Sequence, residues 1–324
     1  MRVLVTGGAG FVGANLVRRL LADGHEVVVI DDLSTGAVAN LAEVHGHVTL
    51  HEATIVDAAA LDRAMAGTEA VVHLAARPSV PRSLDDPWAT HVANAGGTLA
   101  VLEAARRVGS ARGGPAPHVV VASSSSVYGA NPTLPKHEDL VARPVSPYAA
   151  SKLAAEAYAL AHQHSFGVDV LVFRFFNVYG PLQPAGHAYA AVVPAFIDAA
   201  LAGRPVTIHG DGTQTRDFTY VDTVTTVLGD AVVRRVVADQ PVNLAFGSRT
   251  DLLGVLDRLE VCLGHPVDRV LGPPRPGDVA HSSADATRLR ALFPDVVPVD
   301  LDAGLAATVD WFRTRARARG DASR

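Results

Sequence analysis

The chain has 324 residues, of which 48% are hydrophobic and 19% charged, and its formal net charge is −5 at pH 7. This composition is typical of a folded globular protein, and the negative charge favours neither nucleic acid nor an anionic membrane surface as a partner. Because the chain has one cysteine, no apolar run near the roughly 20 residues that span a bilayer and no signal-peptide pattern, we expect a cytoplasmic protein without internal disulfides or metal.

The N-terminal segment has the pattern of a strand, a glycine-rich turn, a helix and a second strand. An apolar run over residues 2–6 predicts a buried strand, residues 7–13 (GGAGFVG) follow it, and a helix is predicted over 12–22. The glycines allow the backbone to approach a pyrophosphate at the helix N-terminus. The second strand, 26–30, ends at Asp31, where dinucleotide-binding folds carry a carboxylate for the adenosine ribose.

Strands and helices continue to alternate along the first half of the chain. The further segments are strands at 48–51, 70–74, 118–123 and 169–175 and helices at 58–66, 90–108 and 147–166. This alternation predicts an α/β fold, with a doubly wound parallel Rossmann sheet covered by helices on both faces.

The pattern loosens from about residue 179, where proline and glycine become frequent, and helices are predicted only at 251–263 and 285–292. We therefore expect a smaller C-terminal α/β substrate domain over the carboxyl ends of the strands. The expected division assigns residues 1–178 and about 216–244 to the dinucleotide-binding domain. Residues of about 179–215 and 245–324 form the second domain.

A helix start coincides with a tyrosine and a lysine. Ser146 is a good N-cap and Pro147 suits the first helical position, so Tyr148 and Lys152 share one helix face. An ammonium beside a phenol favours the phenolate, and the positive helix N-terminus adds to this effect. The pair predicts a general base, with a lowered Tyr148 pKa, that takes a proton from an alcohol.

Together these motifs resemble the extended short-chain dehydrogenases/reductases of the NAD-dependent epimerase/dehydratase family, and within it the nucleotide-sugar 4-epimerases. The likeness covers nearly the whole length. Its carriers are residues 7–13, 73–76 (HLAA), Asn94 with 97–98, 123–129 (SSSSVYG), Tyr148 with Lys152, 174–180 (RFFNVYG), 210–212 (GDG), 216–218 (RDF), and Arg275 with 277–278. The resemblance implies tightly bound NAD and a UDP-sugar substrate.

The resemblance also implies a mechanism with Ser124, Tyr148 and Lys152 as catalytic residues. Tyr148 takes the proton of the sugar 4-hydroxyl while C4 gives hydride to the nicotinamide. Ser124 bonds the substrate O4, and Lys152 lowers the tyrosine pKa and holds the nicotinamide ribose. The 4-keto sugar then turns and takes the hydride back on its other face.

The family's binding residues carry over position by position. Those expected at the cofactor are Gly7, Gly10, Phe11, Val12, Asp31, Asp32, Thr54, Ile55, Leu74, Ala75, Ala76, Asn94, Tyr148 and Lys152. Those expected at the sugar nucleotide are Ser124, Ser125, Ser126, Tyr148, Asn177, Tyr189, Ala191, Val192, Val193, Arg216, Arg275, Asp278 and Ser282. One departure is Thr54, which stands where the family has an aspartate at the adenine, so weaker cofactor binding is expected.

Several alternatives for the reaction and the substrate remain within this family. Ser125 and Ser126 stand where dehydratases and decarboxylases carry acidic residues, which disfavours those reactions. A UDP-glucuronate 4-epimerase ranks second, because residues 181–187 offer no Arg or Lys for a C6 carboxylate and Asn177 resembles the neutral-hexose enzymes. Ser282 falls at the position that gates the sugar 2-substituent, and a serine leaves room for an acetamido group.

Three further questions are left open by the residues. Arg216 either contacts the pyrophosphate or pairs with Asp217 or another carboxylate, and the nucleotide is UDP, dTDP or CDP. A non-catalytic NAD(H)-sensing regulator is the alternative from another class, disfavoured by the complete catalytic set. Apolar, alanine-rich stripes on 90–108 and 147–166 predict a two-fold homodimer.

Overall fold

The computed structural model of the chain describes residues 1–185, 190–273 and 280–321. Its centre is a seven-stranded sheet in which all neighbouring strands are parallel. The strands of this sheet are β1 (Arg2–Thr6), β2 (Glu26–Asp31), β3 (Val48–Glu52), β4 (Ala70–His73), β5 (His118–Ser124), β6 (Val170–Phe175) and β11 (Val242–Leu244). Their order across the sheet is β3-β2-β1-β4-β5-β6-β11, and the predicted Rossmann fold is confirmed.

Six short strands pair outside this sheet. They are β7 (Asn177–Tyr179) with β10 (Phe218–Tyr220), β9 (Thr215–Arg216) with β12 (Thr250–Asp251), and β8 (Val206–His209) with β13 (Arg269–Gly272). The helices of the described residues are α1 (Phe11–Ala22), α2 (Ala58–Met65), α3 (Val80–Asp85), α4 (Pro87–His91), α5 (Gly97–Arg112), α6 (Pro147–Phe166), α7 (Val192–Leu201), α8 (Val221–Val233), α9 (Leu252–Leu263), α10 (Thr287–Leu292) and α11 (Leu301–Asp321).

The central strands are valine-rich apolar runs, as expected for a sheet that is covered on both faces. Helices α1 and α8 bury one face through a cluster that includes Leu16 and Leu228, and α2, α5 and α6 bury the other through Leu61 and Leu102. The strand order reverses between the paired strands β1 and β4, so the connections that leave their carboxyl ends run to opposite faces and open a crevice there.

A third apolar cluster lies outside the central sheet. It joins α7, β8, α9 and α11 around Phe196, Ile208, Leu256 and Leu305. These segments fall in the ranges that we assign to the second domain, and the division itself stays a prediction. No helix in the described part of the chain is long and apolar enough to cross a membrane.

The structure contains helices α7 and α8, which were not predicted, and it differs from the prediction within the helix 90–108. There α4 ends at His91, a π-helical turn covers Val92–Gly96, and α5 begins at Gly97. The side chain of Asn94, in the π turn, bonds the backbone of Arg77 and the hydroxyl of Ser151. Both partners are distant in sequence, so no local sequence pattern predicts these contacts. A 3₁₀ segment over Val38–His47 and the three-residue strand β11 were also not predicted from the sequence.

Candidate active site

The glycine-rich turn is packed too closely for side chains. Gly7 has φ +70°, and a Cβ there would lie 2.7 Å from the nitrogen of Ala75. A Cβ on Gly13 would lie 2.2 Å from the carbonyl oxygen of Gly7. Helix α1 begins directly after this turn, and no side chain caps it at Gly10. Its first N–H groups therefore remain available to an anion such as a pyrophosphate.

A cleft of about 850 Å³ opens over this turn at the carboxyl ends of β1, β2, β3 and β4. We call it the cofactor cleft. Eleven of the residues expected at the cofactor line it: Gly7, Gly10, Phe11, Val12, Asp31, Asp32, Thr54, Ile55, Leu74, Ala75 and Ala76. An open helix N-terminus beside carboxylates at the end of β2 fits the pyrophosphate and ribose of a dinucleotide.

Asp31 is held rigidly at the end of β2. One carboxylate oxygen accepts a hydrogen bond from the N–H of Ala9 at 2.9 Å, and the other accepts one from the N–H of Leu33 at 2.9 Å. Burial raises the pKa of Asp31, and these two backbone hydrogen bonds oppose the rise. Asp32 is exposed and accepts from the N–H and hydroxyl of Ser34.

A buried histidine that the sequence analysis did not single out supports the wall of the cofactor cleft. The Thr98 hydroxyl donates to the carbonyl of Asn94, so it accepts from His73 Nε2–H at 2.9 Å. His73 Nδ1 then accepts from the Thr6 hydroxyl at 2.7 Å, and Thr6 accepts from the N–H of Ala75. Burial lowers the pKa of His73 to about 3, so its ring is neutral and the network keeps one proton arrangement.

Asn94 takes a place behind this wall. It is buried and does not line the cofactor cleft. Its Oδ1 accepts from the N–H of Arg77 at 2.7 Å, and its Nδ2 donates to the Ser151 hydroxyl at 2.9 Å. Asn94 thus ties the cleft wall to α6, and its expected contact with the cofactor stays a prediction.

Helix α6 brings the three expected catalytic residues together. Its predicted start is confirmed, because the Ser146 hydroxyl accepts from the N–H of Ala149 at 3.2 Å. Tyr148 is hydrogen-bonded to the side chain of Ser124, at the end of β5. One turn further on, the buried Lys152 donates from Nζ to the carbonyl oxygen of Ala122 at 2.9 Å.

The electrostatics of this group differ from the expectation. Burial raises the pKa of Tyr148, and the hydrogen bond with Ser124 opposes the rise without cancelling it. Burial also lowers the pKa of Lys152 to about 8, against the carboxylate of Glu156. The expected lowered pKa of Tyr148 is thus wrong for the chain alone, because loss of hydration dominates at the phenol, and the effect expected of Lys152 stays a prediction.

Two adjoining cavities lie beyond Tyr148. The first, the Tyr148 cavity, has a volume of about 490 Å³, and the second, the Ser282 cavity, about 420 Å³. Asn177 and Arg216 line both cavities. The expected substrate residues Tyr148, Ala191, Val192 and Val193 line the first, and Ser125, Ser126 and Ser282 line the second. Tyr189, Arg275 and Asp278 lie outside the described residues.

Arg216 and Asn177 are placed by the strands that carry them. Arg216 Nη1 donates to the carbonyl of Thr215 at 2.9 Å, and Asn177 Nδ2 donates to the carbonyl of Asp217 at 3.3 Å. The buried carboxylate of Asp217 accepts from the N–H groups of Gly247 and Ala284 and from the Ser248 hydroxyl. Asp217 is therefore satisfied by these three donors, which disfavours the alternative that it pairs with Arg216.

A second buried lysine lines the Ser282 cavity and was missed by the sequence analysis. Lys136 is 4% exposed and its ammonium donates to the carbonyl of Asn131. Ser126, on the same cavity, has a buried hydroxyl without a hydrogen-bond partner among the described residues. A compositional signal was available: of 28 lysines and arginines in the chain, only Lys136 and Lys152 are lysines. Both are buried, which is rare for lysine.

Known proteins share this fold and this set of motifs. The model of the NAD-dependent epimerase/dehydratase family matches residues 3–244. A UDP-glucose 4-epimerase from Mycolicibacterium smegmatis is 41% identical, covering 98% of this chain and 100% of that protein. A probable UDP-glucuronate 4-epimerase from Rhizobium meliloti is 34% identical, with 96% and 97% covered.

Similarity extends to solved structures. A UDP-N-acetylglucosamine 4-epimerase from Methanobrevibacter ruminantium, in complex with UDP-N-acetylmuramic acid, is 34% identical with a TM-score of 0.90, and the match covers 97% of this chain and 98% of that one. These matches and the family model confirm the resemblance drawn from the motifs. The chain belongs to the NAD-dependent epimerase/dehydratase family, and its cofactor is NAD.

Proposed function

We propose that the protein is a 4-epimerase of UDP-hexoses. The observation that carries this proposal is that Tyr148, bonded to Ser124, lines the Tyr148 cavity, and that this cavity shares Pro78 with the wall of the cofactor cleft. The two spaces therefore adjoin, which suits a sugar beside Tyr148 and a dinucleotide next to it. NAD, when bound, supplies the acceptor and later the donor of a hydride.

Within this proposal each residue has a distinct task. Tyr148 removes the proton from the sugar 4-hydroxyl and later returns it, while Ser124 orients the same oxygen. The ammonium of Lys152, present below a pKa of about 8, offsets charge on the phenolate. Because burial opposes ionisation of Tyr148, this cation is needed for the base to form near neutral pH. Arg216 suits the diphosphate, since a guanidinium offers forked donors to phosphate oxygens.

For the sugar, we propose UDP-glucose and UDP-galactose together with their 2-acetamido counterparts. Support comes from Ser282, a small residue on the wall of the Ser282 cavity, and from the named activities of the M. smegmatis and M. ruminantium proteins. The expected contacts of Tyr189, Arg275 and Asp278 with the sugar nucleotide remain part of this proposal.

UDP-glucuronate is a second candidate substrate, favoured by one observation. The sequence offered no cation after Gly180 for a C6 carboxylate, but the buried ammonium of Lys136 lies on the wall of the Ser282 cavity. A buried cation is stabilised by an anionic partner. The R. meliloti relative is named as a probable epimerase of this sugar.

The deciding experiment incubates the purified protein with UDP-glucose, UDP-N-acetylglucosamine and UDP-glucuronate separately, without added NAD, and follows the 4-epimers by proton NMR. Interconversion of the first two supports our first choice, and interconversion of UDP-glucuronate alone supports the second. A protein that binds NAD but converts none of them is instead the NAD(H)-sensing regulator. The same panel repeated with dTDP- and CDP-glucose identifies the nucleotide.

We also propose that the protein works as a homodimer in the cytoplasm. An apolar surface on α4 and α6, centred on the exposed Trp88, supports the dimer. Cell fractionation with detection by antibody tests the location.

A further inference from the structure

Helix α6 presents three ionisable side chains on one face. Tyr148, Lys152 and Glu156 follow one another at intervals of four residues, so they form a single row. The row faces the last residues of β5, and each member bonds one of the three residues 122–124 of that strand. Lys152 binds the carbonyl of Ala122 at 2.9 Å, as described above.

The next residue of the strand completes the pattern. The Ser123 hydroxyl donates to Glu156 Oε1 at 2.5 Å, and Ser124 bonds Tyr148. Three consecutive residues of β5 are thus bonded to the three members of the α6 row, although not in the same order. The contacts of Lys152 and Glu156 hold α6 against β5, so the distance between Ser124 and Tyr148 depends on them.

Glu156 is also fixed from the other side. Arg174, on β6, donates from Nε to Glu156 Oε1 at 3.0 Å and from Nη2 to Oε2 at 2.8 Å. Ser123 and Arg174 are direct neighbours in the β5–β6 pairing. The Arg174 guanidinium packs over the ring of Tyr128, with its carbon 4.7 Å from the centroid. One carboxylate therefore joins α6, β5 and β6.

We propose that Glu156 is a positioning residue, which clamps α6 onto the end of β5 so that Tyr148 meets Ser124 and supplies the negative charge that keeps Lys152 cationic. This inference rests on the proposed function, because it assigns Lys152 a role in ionising Tyr148. Glu156 acts through Lys152 and α6, and we assign it no contact with the sugar or the cofactor.

The charges around the row make the clamp electrostatically sensitive. The groups facing it are Arg174 from β6, which stays cationic, and His73 from β4, whose ring is neutral. Removal of the Glu156 carboxylate leaves Arg174 and Lys152 without the negative charge that both of them face. Lysine is the one of the two that releases a proton readily, so Lys152 loses its charge at lower pH.

The first test is Glu156→Gln, which keeps the shape and the acceptor oxygen for Ser123 but removes the charge. We expect kcat near neutral pH to fall by about 10- to 100-fold with KM nearly unchanged. The alkaline limb of the kcat–pH profile should move to lower pH by about one unit or more. A loss of kcat with an unmoved alkaline limb overturns the charge role.

The control is Glu103→Gln. Glu103 is bound by Arg106 through two nitrogens, at 3.1 and 2.7 Å, on α5 and outside both cavities and the cofactor cleft. This variant should leave kcat and its pH profile unchanged. Ser123→Ala tests the clamp without touching charge: we expect a lowered kcat with an unmoved alkaline limb. An unchanged kcat in Ser123→Ala overturns the positioning role of Glu156. This test remains valid if the Glu156→Gln variant does not fold.

A readout independent of turnover is available because the chain has only two lysines. Protein labelled with ¹³C at the lysine ε-carbons gives two NMR signals, and Lys136→Arg identifies that of Lys152. The titration midpoint of Lys152 should be lower in Glu156→Gln than in the wild type, and equal midpoints overturn the inference. If the wild type converts no UDP-sugar, the proposed function fails while this titration still decides the charge role of Glu156.

Discussion

The hydroxyl of Tyr148 has Ser124 as its hydrogen-bond partner, and burial holds it in the neutral form until a nearby cation favours the phenolate. Tyr148→Phe keeps the ring and removes the titrating oxygen, so it removes stabilisation of the transition state selectively. We expect kcat to fall by about 10²- to 10⁴-fold with UDP-sugar affinity, measured by calorimetry, nearly intact.

Tyr158→Phe is the matched control for this variant, because Tyr158 lies on the same helix with an exposed ring. Its kcat should equal that of the wild type. Turnover of Tyr148→Phe within about tenfold of the wild type would remove Tyr148 as the general base.

We propose that Ser282, on the wall of the Ser282 cavity, limits the size of the sugar that this cavity accepts. Ser282→Tyr places a ring where we expect the 2-acetamido group, and overpacking of this kind costs about 1–3 kcal/mol, or roughly 5- to 150-fold. Conversion of UDP-N-acetylglucosamine should fall by that factor, while conversion of UDP-glucose stays near the wild-type rate. Ser282→Ala, which keeps the space, should convert both. Equal losses for both sugars in Ser282→Tyr show that Ser282 is not the gate.

We propose that Asp31 sets the preference between the two nicotinamide cofactors. Its carboxylate is fixed by the N–H groups of Ala9 and Leu33, so it cannot swing away from a 2′-phosphate. We expect NAD rather than NADP, because a ribose diol donates to the carboxylate and a phosphate is repelled. Mass spectrometry of the denatured protein should detect NAD, and reconstitution by NADP with equal affinity contradicts this expectation.

At the scale of elements, the glycine turn and α1 act as one tightly packed unit. Gly13→Ala places a Cβ 2.2 Å from the Gly7 carbonyl oxygen and 2.8 Å from the Gly8 Cα, so the turn must shift. We expect NAD affinity, measured by calorimetry, to fall by roughly 5- to 150-fold.

Gly229→Ala is the matched control, since Gly229 lies inside α8 and a Cβ there meets no heavy atom within 4 Å. This variant should bind NAD like the wild type and unfold at an equal or higher temperature, because alanine favours the helix by up to about 1 kcal/mol. If both variants bind NAD equally, the close packing of the turn does not control the cofactor site.

Local signals determined which elements could be predicted. Helix α6 agrees with the prediction at both ends, because Ser146 and Pro147 mark its start and Gly167 its end. The predicted helix 90–108 is interrupted because Asn94 bonds residues that are distant in sequence. Local motifs also limit what could be predicted of the site. They identify Tyr148 and Ser124 as site residues, whereas the raised pKa of Tyr148 depends on burial that only the folded chain creates.

At the scale of the molecule, one exposed apolar surface lies on α4 and α6. Its centre is Trp88, which is 75% exposed, and Pro87, His91, Pro147 and Ala150 surround it. An exposed tryptophan on such a surface is typical of a protein–protein contact, and two-fold dimers are the commonest assembly. We therefore propose this surface as the centre of the homodimer contact.

Trp88→Glu should convert the dimer to a monomer, because a charge buried without a partner is strongly disfavoured at an interface. Light scattering at micromolar concentration should give a dimer mass for the wild type and a monomer mass for the variant. Val261→Glu, at a residue that is 83% exposed on α9, should remain dimeric. A monomeric wild type rules out the homodimer.

The scarcity of lysine has a consequence for chemical labelling. Arginine supplies every other basic side chain apart from histidine, and both lysines are buried, so acylating reagents find no lysine amine on the surface of this protein. Because burial lowers the pKa of Lys152 to about 8, its side chain carries a reactive free amine in mildly alkaline solution. The rate at which an acylating ester modifies the two lysines, followed by mass spectrometry separately from the N-terminal amine, therefore measures how often the interior opens to solvent.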